Sequence, residues 1–178
     1  MLTWIMRRGL RAFERQWDYD ASYMHAMIDA DPRAALKFIR ATSLGKYRRD
    51  VPADVLAAAK ITAVRQEDCG PCTQLAVTMA EREGVDPKVL SAVLMGDPAA
   101  MPPDVALAWR FTRATLAHDP EADRYREEIV TRWGPRALVS LGFAIVAARM
   151  YPTMKYAMGH GKACTRVVVG GAPLALSR

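Results

Sequence analysis

The stretch that decides the fold is residues 52–84, which read PADVLAAAKITAVRQEDCGPCTQLAVTMAEREG. It predicts two helices joined by a short polar break, because Ala, Leu, Arg, Glu and Met are strong helix formers and Gly84 stands where the second helix would stop. Cys69 and Cys72 lie at the start of the second helix. The stretch therefore predicts a helical hairpin with a CxxC pair at its turn.

The same helix signals recur along the whole chain. Asp followed by Pro occurs at residues 31–32, 86–87 and 119–120, and this pair suits a helix start because Asp caps free N–H groups and Pro fits the first helical position. Runs of alternating β-branched residues are scarce, and the strand-like run at residues 167–169 is left unassigned. We expect an all-α domain. The predicted helices lie near residues 3–17, 21–29, 32–43, 52–66, 70–83, 87–95, 103–117, 120–133 and 135–158.

Composition places the chain among soluble globular proteins. Of 178 residues, 51% are hydrophobic and 25% are charged, which argues against disorder and low-complexity structure. The three cysteines are too few, and odd in number, for a secreted disulfide framework. The longest uncharged apolar run, residues 137–148, ends at Arg149 and is shorter than the ~20 residues of a membrane-spanning helix. We expect a cytoplasmic protein with no membrane partner.

The first 50 residues carry most of the net charge of +6, with 10 Lys and Arg against 6 Asp and Glu. Met6, Leu10, Phe13 and Trp17 recur at helical spacing, which is typical of an amphipathic helix and not of a signal peptide. Acidic residues interleave with the arginines, so we predict a solvated face packing on its own protein or on a partner subunit, with no nucleic-acid partner. Three parts follow: a basic helical extension at 1–50, a helical core at 51–158 and a Gly-containing tail at 159–178.

The cysteine pair is the sharpest chemical feature. Two cysteines one helical turn apart lie within disulfide reach, about 5.5 Å between Cα atoms, and the N-terminus of a helix stabilises a thiolate. One thiolate would attack a disulfide or a peroxide, and the other would resolve the product as a Cys69–Cys72 bond. Cys69, at or before the first turn, is the preferred nucleophile, and Pro71 stiffens the linker. This chemistry requires no cofactor.

Two other interpretations of the pair remain open. The cysteines can be inert packing residues, or they can bind zinc together with His160 and Cys164 as a Cys₃His set. His160 is more simply a residue at a helix end, and Cys164 lies in a Gly-containing tail. We therefore predict that Cys164 is a bystander and that no metal is bound.

Cys-Gly-Pro-Cys is the tetrapeptide of thioredoxins, but there it follows a strand, whereas here it follows the helical residues 55–64. The order of helix, polar break, CxxC and second helix resembles the alkylhydroperoxidase D-like, or carboxymuconolactone decarboxylase, superfamily. Residues 125–130 and 138–146 look like that family's closing helices, so the resemblance covers roughly residues 50–158. It implies a single-domain helical bundle and a homo-oligomer, commonly a trimer or a larger ring.

The resemblance also implies a thiol-disulfide oxidoreductase or a peroxide-linked antioxidant protein that acts through Cys69 and Cys72. Its reaction partners would be a dithiol reductant protein or a small disulfide. The rival interpretation is a non-catalytic helical oligomerisation or binding module whose cysteines hold a structural disulfide or a zinc ion.

The sequence departs from the family in its proton relay. Peroxidase members usually have a histidine four residues after the second cysteine and a glutamate about three turns before the first. This chain has Ala76 and Ala57 there. Glu67 and Asp68 can in principle shuttle protons, but we expect them to be solvated residues at the helix break. We therefore predict faster disulfide exchange than hydroperoxide reduction, because peroxide cleavage needs a proton for the leaving oxygen.

Overall fold

The structure, a computed structural model, describes residues 1–162 and 166–176. Within these ranges the chain is mainly helical, which confirms the expected all-α character, and the alkylhydroperoxidase D-like type of bundle stays a prediction. The elements, in chain order, are α1 (Leu2–Trp17), α2 (Ser22–Ala30), α3 (Pro32–Ala41), a 3₁₀ helix (Thr42–Lys46), α4 (Ala53–Gln66), α5 (Gly70–Arg82), α6 (Pro87–Met95), α7 (Pro103–Ala117), α8 (Glu121–Trp133), α9 (Pro135–Ala157), β1 (Arg166–Val169) and β2 (Ala172–Ala175).

The helix starts follow the Asp-Pro signals. The carboxylate of Asp31 accepts a hydrogen bond from the Arg33 N–H at 2.8 Å, and that of Asp86 accepts one from the Lys88 N–H at 2.8 Å. Each bond satisfies an N–H group that has no partner inside the helix. These interactions are local, so the sequence predicted the helix boundaries to within a few residues.

The main core forms around α4, which packs against α5, α6, α7 and α9. Its side chains face neighbours on several sides, and Ala59, Ile61 and Ala63 have no exposed surface. A helix that is buried on all sides carries apolar residues on more than one face, and α4 has this pattern. Because α5 follows α4 after a short break, the cysteine pair lies at the edge of this core.

The N-terminal extension forms a second apolar cluster. Leu10 is buried, and Met6, Phe13 and Trp17 pack against the same cluster, which confirms the amphipathic pattern of α1. The cluster also takes in side chains of α5 and α9. The extension therefore lies against the two helices that flank the cysteines.

The tail differs from the all-helical expectation. Residues 166–175 form an antiparallel hairpin in which Val167 pairs with Leu174, and Val167 and Val169 are buried in the main core. Gly170 and Gly171 make the turn with φ of 57° and 79°, values that suit a two-residue hairpin turn and that glycine adopts without strain. Buried and exposed residues alternate along β1, so the strand-like run at residues 167–169 is a strand. Cys164 lies outside the described residues.

One described helix, α9, is long and apolar enough to cross a membrane by length and composition. Its most apolar 18-residue window has a mean hydropathy of 1.4, and 39% of that window is buried. The uncharged apolar run at residues 137–148 is shorter than this window because Arg136 and Arg149 flank it. Core helices of soluble proteins meet the same criteria, and α9 packs against α4, α8 and the 3₁₀ helix. The absence of a membrane partner stays a prediction.

Candidate functional site

Cys69 and Cys72 form a disulfide at the N-terminus of α5. Their Cα atoms are 5.3 Å apart, in agreement with the distance expected for cysteines one turn apart. Cys69 has extended backbone angles, φ −103° and ψ 98°, and caps the helix, which begins at Gly70 with Pro71 in its first turn. The Thr73 hydroxyl donates to the Cys69 carbonyl at 2.9 Å.

The break between α4 and α5 is held from the C-terminal side of the chain. Asp68 has a left-handed backbone with φ of 48°, and its carbonyl accepts a hydrogen bond from the Tyr156 hydroxyl at 2.9 Å. The Gly70 N–H donates to the Lys162 carbonyl at 3.0 Å. The end of α9 and the residues after it thus fix the backbone on both sides of Cys69.

The two cysteines differ in exposure. Cys69 has no exposed surface and Cys72 is 6% exposed, and the pair forms a small apolar cluster with Val64, packed against Ala76 and Ala148. Helix-start electrostatics favoured Cys69 as the nucleophile. The greater exposure of Cys72 favours it as the nucleophile instead, because the thiolate or disulfide of a partner must contact the sulfur with which it exchanges.

A tyrosine hydroxyl lies against the disulfide. The oxygen of Tyr19, in the link between α1 and α2, is 3.7 Å from the Sγ atom of Cys72. A disulfide sulfur carries no hydrogen, so the phenol is the donor. Burial raises the pKa of Tyr19 to about 12; a hydrogen bond from Tyr23 acts in the opposite direction, and the charge of Asp20 adds to the increase.

A buried lysine lies behind this tyrosine. Lys155, on α9, has no exposed surface, and its Nζ atom lies 4.6 Å from the centre of the Tyr19 ring and 5.4 Å from that of Tyr23. The ammonium donates to the Asp20 carbonyl at 3.1 Å. Burial lowers the pKa of Lys155, and the negative charge of Asp20 offsets part of this effect. The site therefore places a cation over the face of the phenol that contacts Cys72.

Two carboxylates, Glu67 and Asp68, lie at the break between α4 and α5. Glu67 forms an ion pair with Arg149 and accepts a hydrogen bond from the Thr153 hydroxyl at 3.3 Å. Its side chain is 18% exposed, so it is an ion-paired residue and less solvated than we expected. The side chain of Asp68 is exposed. Among the described residues, the Glu67 carboxylate has its hydrogen bonds with Arg149 and Thr153 and not with a cysteine sulfur.

The predicted alternative of a zinc site would combine the cysteine pair with His160 and Cys164. In residues 1–162 and 166–176, no group of three or more His, Cys, Asp or Glu side chains is placed to hold a metal ion. His160 Nδ1 lies 3.0 Å from the Ser22 hydroxyl oxygen. The proposed Cys₃His set includes Cys164, which is outside the described residues.

An apolar groove of about 650 Å³ lies between α9, α3 and the end of α7. Neither cysteine lines it. Its wall includes Arg149 and Thr153, the two residues that bind Glu67. The groove therefore does not provide a binding cavity at the sulfurs themselves.

Sequence reasoning identified the cysteines but missed Tyr19, Tyr23 and Lys155. No local signal links Tyr19 to Cys72, because they are 53 residues apart. Lys155 had a weak signal: it follows Tyr151 by four positions on a helix and so lies on the same face as an apolar residue.

Comparison with protein-family models, curated proteins and solved structures finds no match to this chain. The resemblance to the alkylhydroperoxidase D-like superfamily therefore depends only on the CxxC motif and on the order and spacing of the helices.

Proposed function

We propose that this chain is a thiol-disulfide oxidoreductase whose Cys69–Cys72 pair cycles between disulfide and dithiol. The observation that carries the proposal is the disulfide at the start of α5 with a phenol hydroxyl 3.7 Å from one of its sulfurs. The positive end of a helix dipole stabilises a thiolate in the first turn. The site thus offers two features that favour an exchanging sulfur.

The reaction uses Cys72 as the sulfur that meets the partner. In the reductive half, a thiolate of a dithiol donor attacks Cys72 Sγ, the Cys69–Cys72 bond breaks and Cys69 leaves as a thiolate. The donor's second thiolate then attacks the donor sulfur of the mixed disulfide, which releases the Cys72 thiolate and the oxidised donor. The pair has gained two electrons.

In the oxidative half, the Cys72 thiolate attacks a substrate disulfide and displaces one substrate thiolate. Cys69 then attacks Cys72 Sγ, displaces the second substrate thiolate and restores the Cys69–Cys72 bond. The partners we propose are a dithiol reductant protein and a small or protein disulfide, in the cytoplasm. No step requires a metal or an organic cofactor.

Hydroperoxide reduction should be the slower activity. Its leaving alkoxide needs a proton, and a positioned acid-base group typically contributes about 10²- to 10⁴-fold. Ala76 and Ala57 occupy the positions that would supply the family's relay, and Glu67 is bound to Arg149 and Thr153. A thiolate leaving group departs without a proton, so the absence of a relay reduces the rate of disulfide exchange less than the rate of hydroperoxide reduction.

A second candidate function is favoured by the burial of both cysteines, at 0% and 6% exposed. In that case the bond is structural, and the chain is a non-catalytic helical module for binding or oligomerisation. A redox titration separates the two functions. A catalytic pair titrates reversibly in the range of cellular thiols, whereas a structural disulfide has a potential below about −300 mV.

The activity test uses single turnovers of the full chain with a mixed disulfide and, separately, with an alkyl hydroperoxide. Wild type should react faster with the disulfide, and Cys72→Ser should abolish both activities. Cys69→Ser should complete only the first step and leave the substrate bound to Cys72 as a mixed disulfide. Cys164→Ser is the matched control and should leave exchange unchanged. Unchanged exchange in Cys72→Ser would exclude the proposed site.

We also propose that the chain is a homo-oligomer, a trimer or a larger ring. The support is the resemblance and the exposed apolar side chains, including Trp4 at 60%, Val146 at 55% and Met95 at 57% exposure. Light scattering of the purified chain should give a multiple of 19.7 kDa. A single species of that mass at all concentrations would contradict the proposal.

A further inference from the structure

The Cys72 sulfur has a hydrogen-bond donor, the Tyr19 hydroxyl, which lies outside the relay positions Ala57 and Ala76. The Tyr19 oxygen lies 3.7 Å from Cys72 Sγ, within the range of hydrogen bonds to sulfur. Tyr19 is 6% exposed and packs edge-on against Phe13, with ring centres 5.9 Å apart. Aromatic packing and burial therefore hold the hydroxyl in place against the sulfur.

The ring carries a cation on its face. Lys155 Nζ lies 4.6 Å from the ring centre, and its only described hydrogen bond goes to a main-chain carbonyl, that of Asp20. The Asp20 carboxylate accepts instead from the Ser22 N–H at 3.0 Å and pairs with Lys162 at 3.3 Å. A cation over an aromatic face draws electron density from the ring, which makes the phenol a better donor.

The phenol keeps its own proton at neutral pH. Burial raises the pKa of Tyr19 to about 12, so the hydroxyl is a donor and not a base. The titratable and charged groups that act on it are Tyr23, Asp20 and Tyr151, besides the Lys155 ammonium. Of these four, only Lys155 is positively charged.

We propose that Tyr19 is a catalytic residue that donates a hydrogen bond to the Cys72 thiolate, and that Lys155 is the positioning residue that strengthens this donor. This inference rests on the proposed function of the cysteine pair. When the Cys69–Cys72 bond is opened by a dithiol, Cys72 becomes an anion beside the Tyr19 hydroxyl. A hydrogen bond to the charged form of a group favours that form. The anion is therefore stabilised without proton transfer.

Tyr19 does not change which bonds form and break in each exchange step. The Cys72 thiolate supplies the electron pair for the new S–S bond, and the substrate thiolate leaves with the electron pair of the broken bond. Tyr19 retains its O–H bond throughout. Its effect is to increase the fraction of Cys72 present as thiolate at neutral pH.

The test measures alkylation of Cys72 by iodoacetamide in the reduced full chain as a function of pH, with peptide mass spectrometry to separate Cys72 from the other cysteines. We expect Tyr19→Phe to move the midpoint of this profile to higher pH and to slow alkylation at pH 7 by roughly tenfold, the effect of about one pH unit. Tyr151→Phe is the matched control, because it removes a partly buried hydroxyl that packs against the same cluster and whose hydrogen-bond partner is Thr42. It should stay within about twofold of wild type.

Two further variants keep the test independent of packing. Difluorotyrosine at position 19 preserves the ring and makes the hydroxyl a stronger donor, so it should move the midpoint to lower pH. Lys155→Met should move it to higher pH by less than Tyr19→Phe does. A Tyr19→Phe profile that superimposes on wild type, or one with faster alkylation, would overturn the inference.

The outcomes distinguish this inference from the proposed function. Shifted alkylation profiles in a chain that exchanges no disulfides would refute the oxidoreductase and leave Tyr19 as the hydrogen-bond donor to Cys72. Normal exchange with superimposed profiles would refute the role of Tyr19 alone.

Discussion

Reduction of the Cys69–Cys72 bond should lower the free energy of unfolding by only about 2 kcal/mol. The bond joins residues three apart in sequence, so it closes a loop of four residues, for which loop entropy gives about 2 kcal/mol at 25 °C, against about 3 kcal/mol for a fifteen-residue loop. Domains of ordinary size have unfolding free energies of about 5–15 kcal/mol. The reduced chain should therefore remain folded.

Packing around the pair supports the same conclusion. Cys69 and Cys72 contact Val64, Ala76 and Ala148 through apolar surface, and these contacts do not depend on the S–S bond. A thiol is a small apolar group that packs well in a protein interior. A pair that must be reduced and reoxidised in each turnover needs a fold that tolerates both states.

The assay is guanidinium unfolding followed by circular dichroism, with the chain oxidised and then kept reduced by a phosphine. A Cys69→Ser, Cys72→Ser double variant should match the reduced wild type, and Cys164→Ser should match the oxidised wild type. A loss of about 4 kcal/mol or more, or unfolding on reduction, would refute the reasoning and favour a structural disulfide. A reduced chain more stable than the oxidised one would also contradict the loop-entropy argument.

Two buried ionisable side chains, one ion-paired carboxylate and two adjacent valines provide further tests. Because the pKa of Tyr19 is raised to about 12 in the folded chain, the unfolded chain loses this proton first and stability falls with rising pH. Tyr19→Phe should remove about 1 kcal/mol of the loss between about pH 9 and 11 in urea unfolding. Lys155 acts in the opposite sense, because burial lowers its pKa below 10.5, so the stability of wild type relative to Lys155→Met should rise as the pH approaches 10.5. Glu67→Gln should change the single-turnover rate with an alkyl hydroperoxide by less than about twofold, since a relay group would contribute at least about 10²-fold. Val167→Ala should cost about 2 kcal/mol in thermal or urea unfolding because Val167 has no exposed surface, whereas Val168→Ala, at 41% exposure, should cost less than about 0.5 kcal/mol.

Each of these expectations has a contradicting result. An alkaline stability curve of Tyr19→Phe parallel to that of wild type would mean that the phenol is solvated. A Lys155→Met difference that does not change with pH would mean that the lysine titrates as an exposed residue. A large loss of peroxide activity in Glu67→Gln would reveal a replacement relay. Equal costs for the two valines would mean that the hairpin does not pack on the core.

Helix positions were predictable from sequence because their signals act over a few residues. Asp31 and Asp86 each cap a helix by accepting a hydrogen bond from the N–H group two residues later. Gly96 ends α6 with a φ of 68°. The spacing of Cys69 and Cys72 at a helix start likewise predicted their Cα distance. The hairpin at residues 166–175 was not predicted, because its strands are four residues long and their burial depends on the main core.

The sequence by itself therefore determined the helices, the amphipathic face of α1 and the position of a CxxC pair at a helix N-terminus. Only the tertiary structure decided what surrounds the sulfurs. Tyr19 contacts Cys72 although the two are 53 residues apart in sequence, and Lys155 belongs to α9. They meet because the extension and α9 pack in one apolar cluster. Helix starts depend on hydrogen bonds between near neighbours in the chain, whereas the environment of a buried sulfur depends on which distant segments share its core.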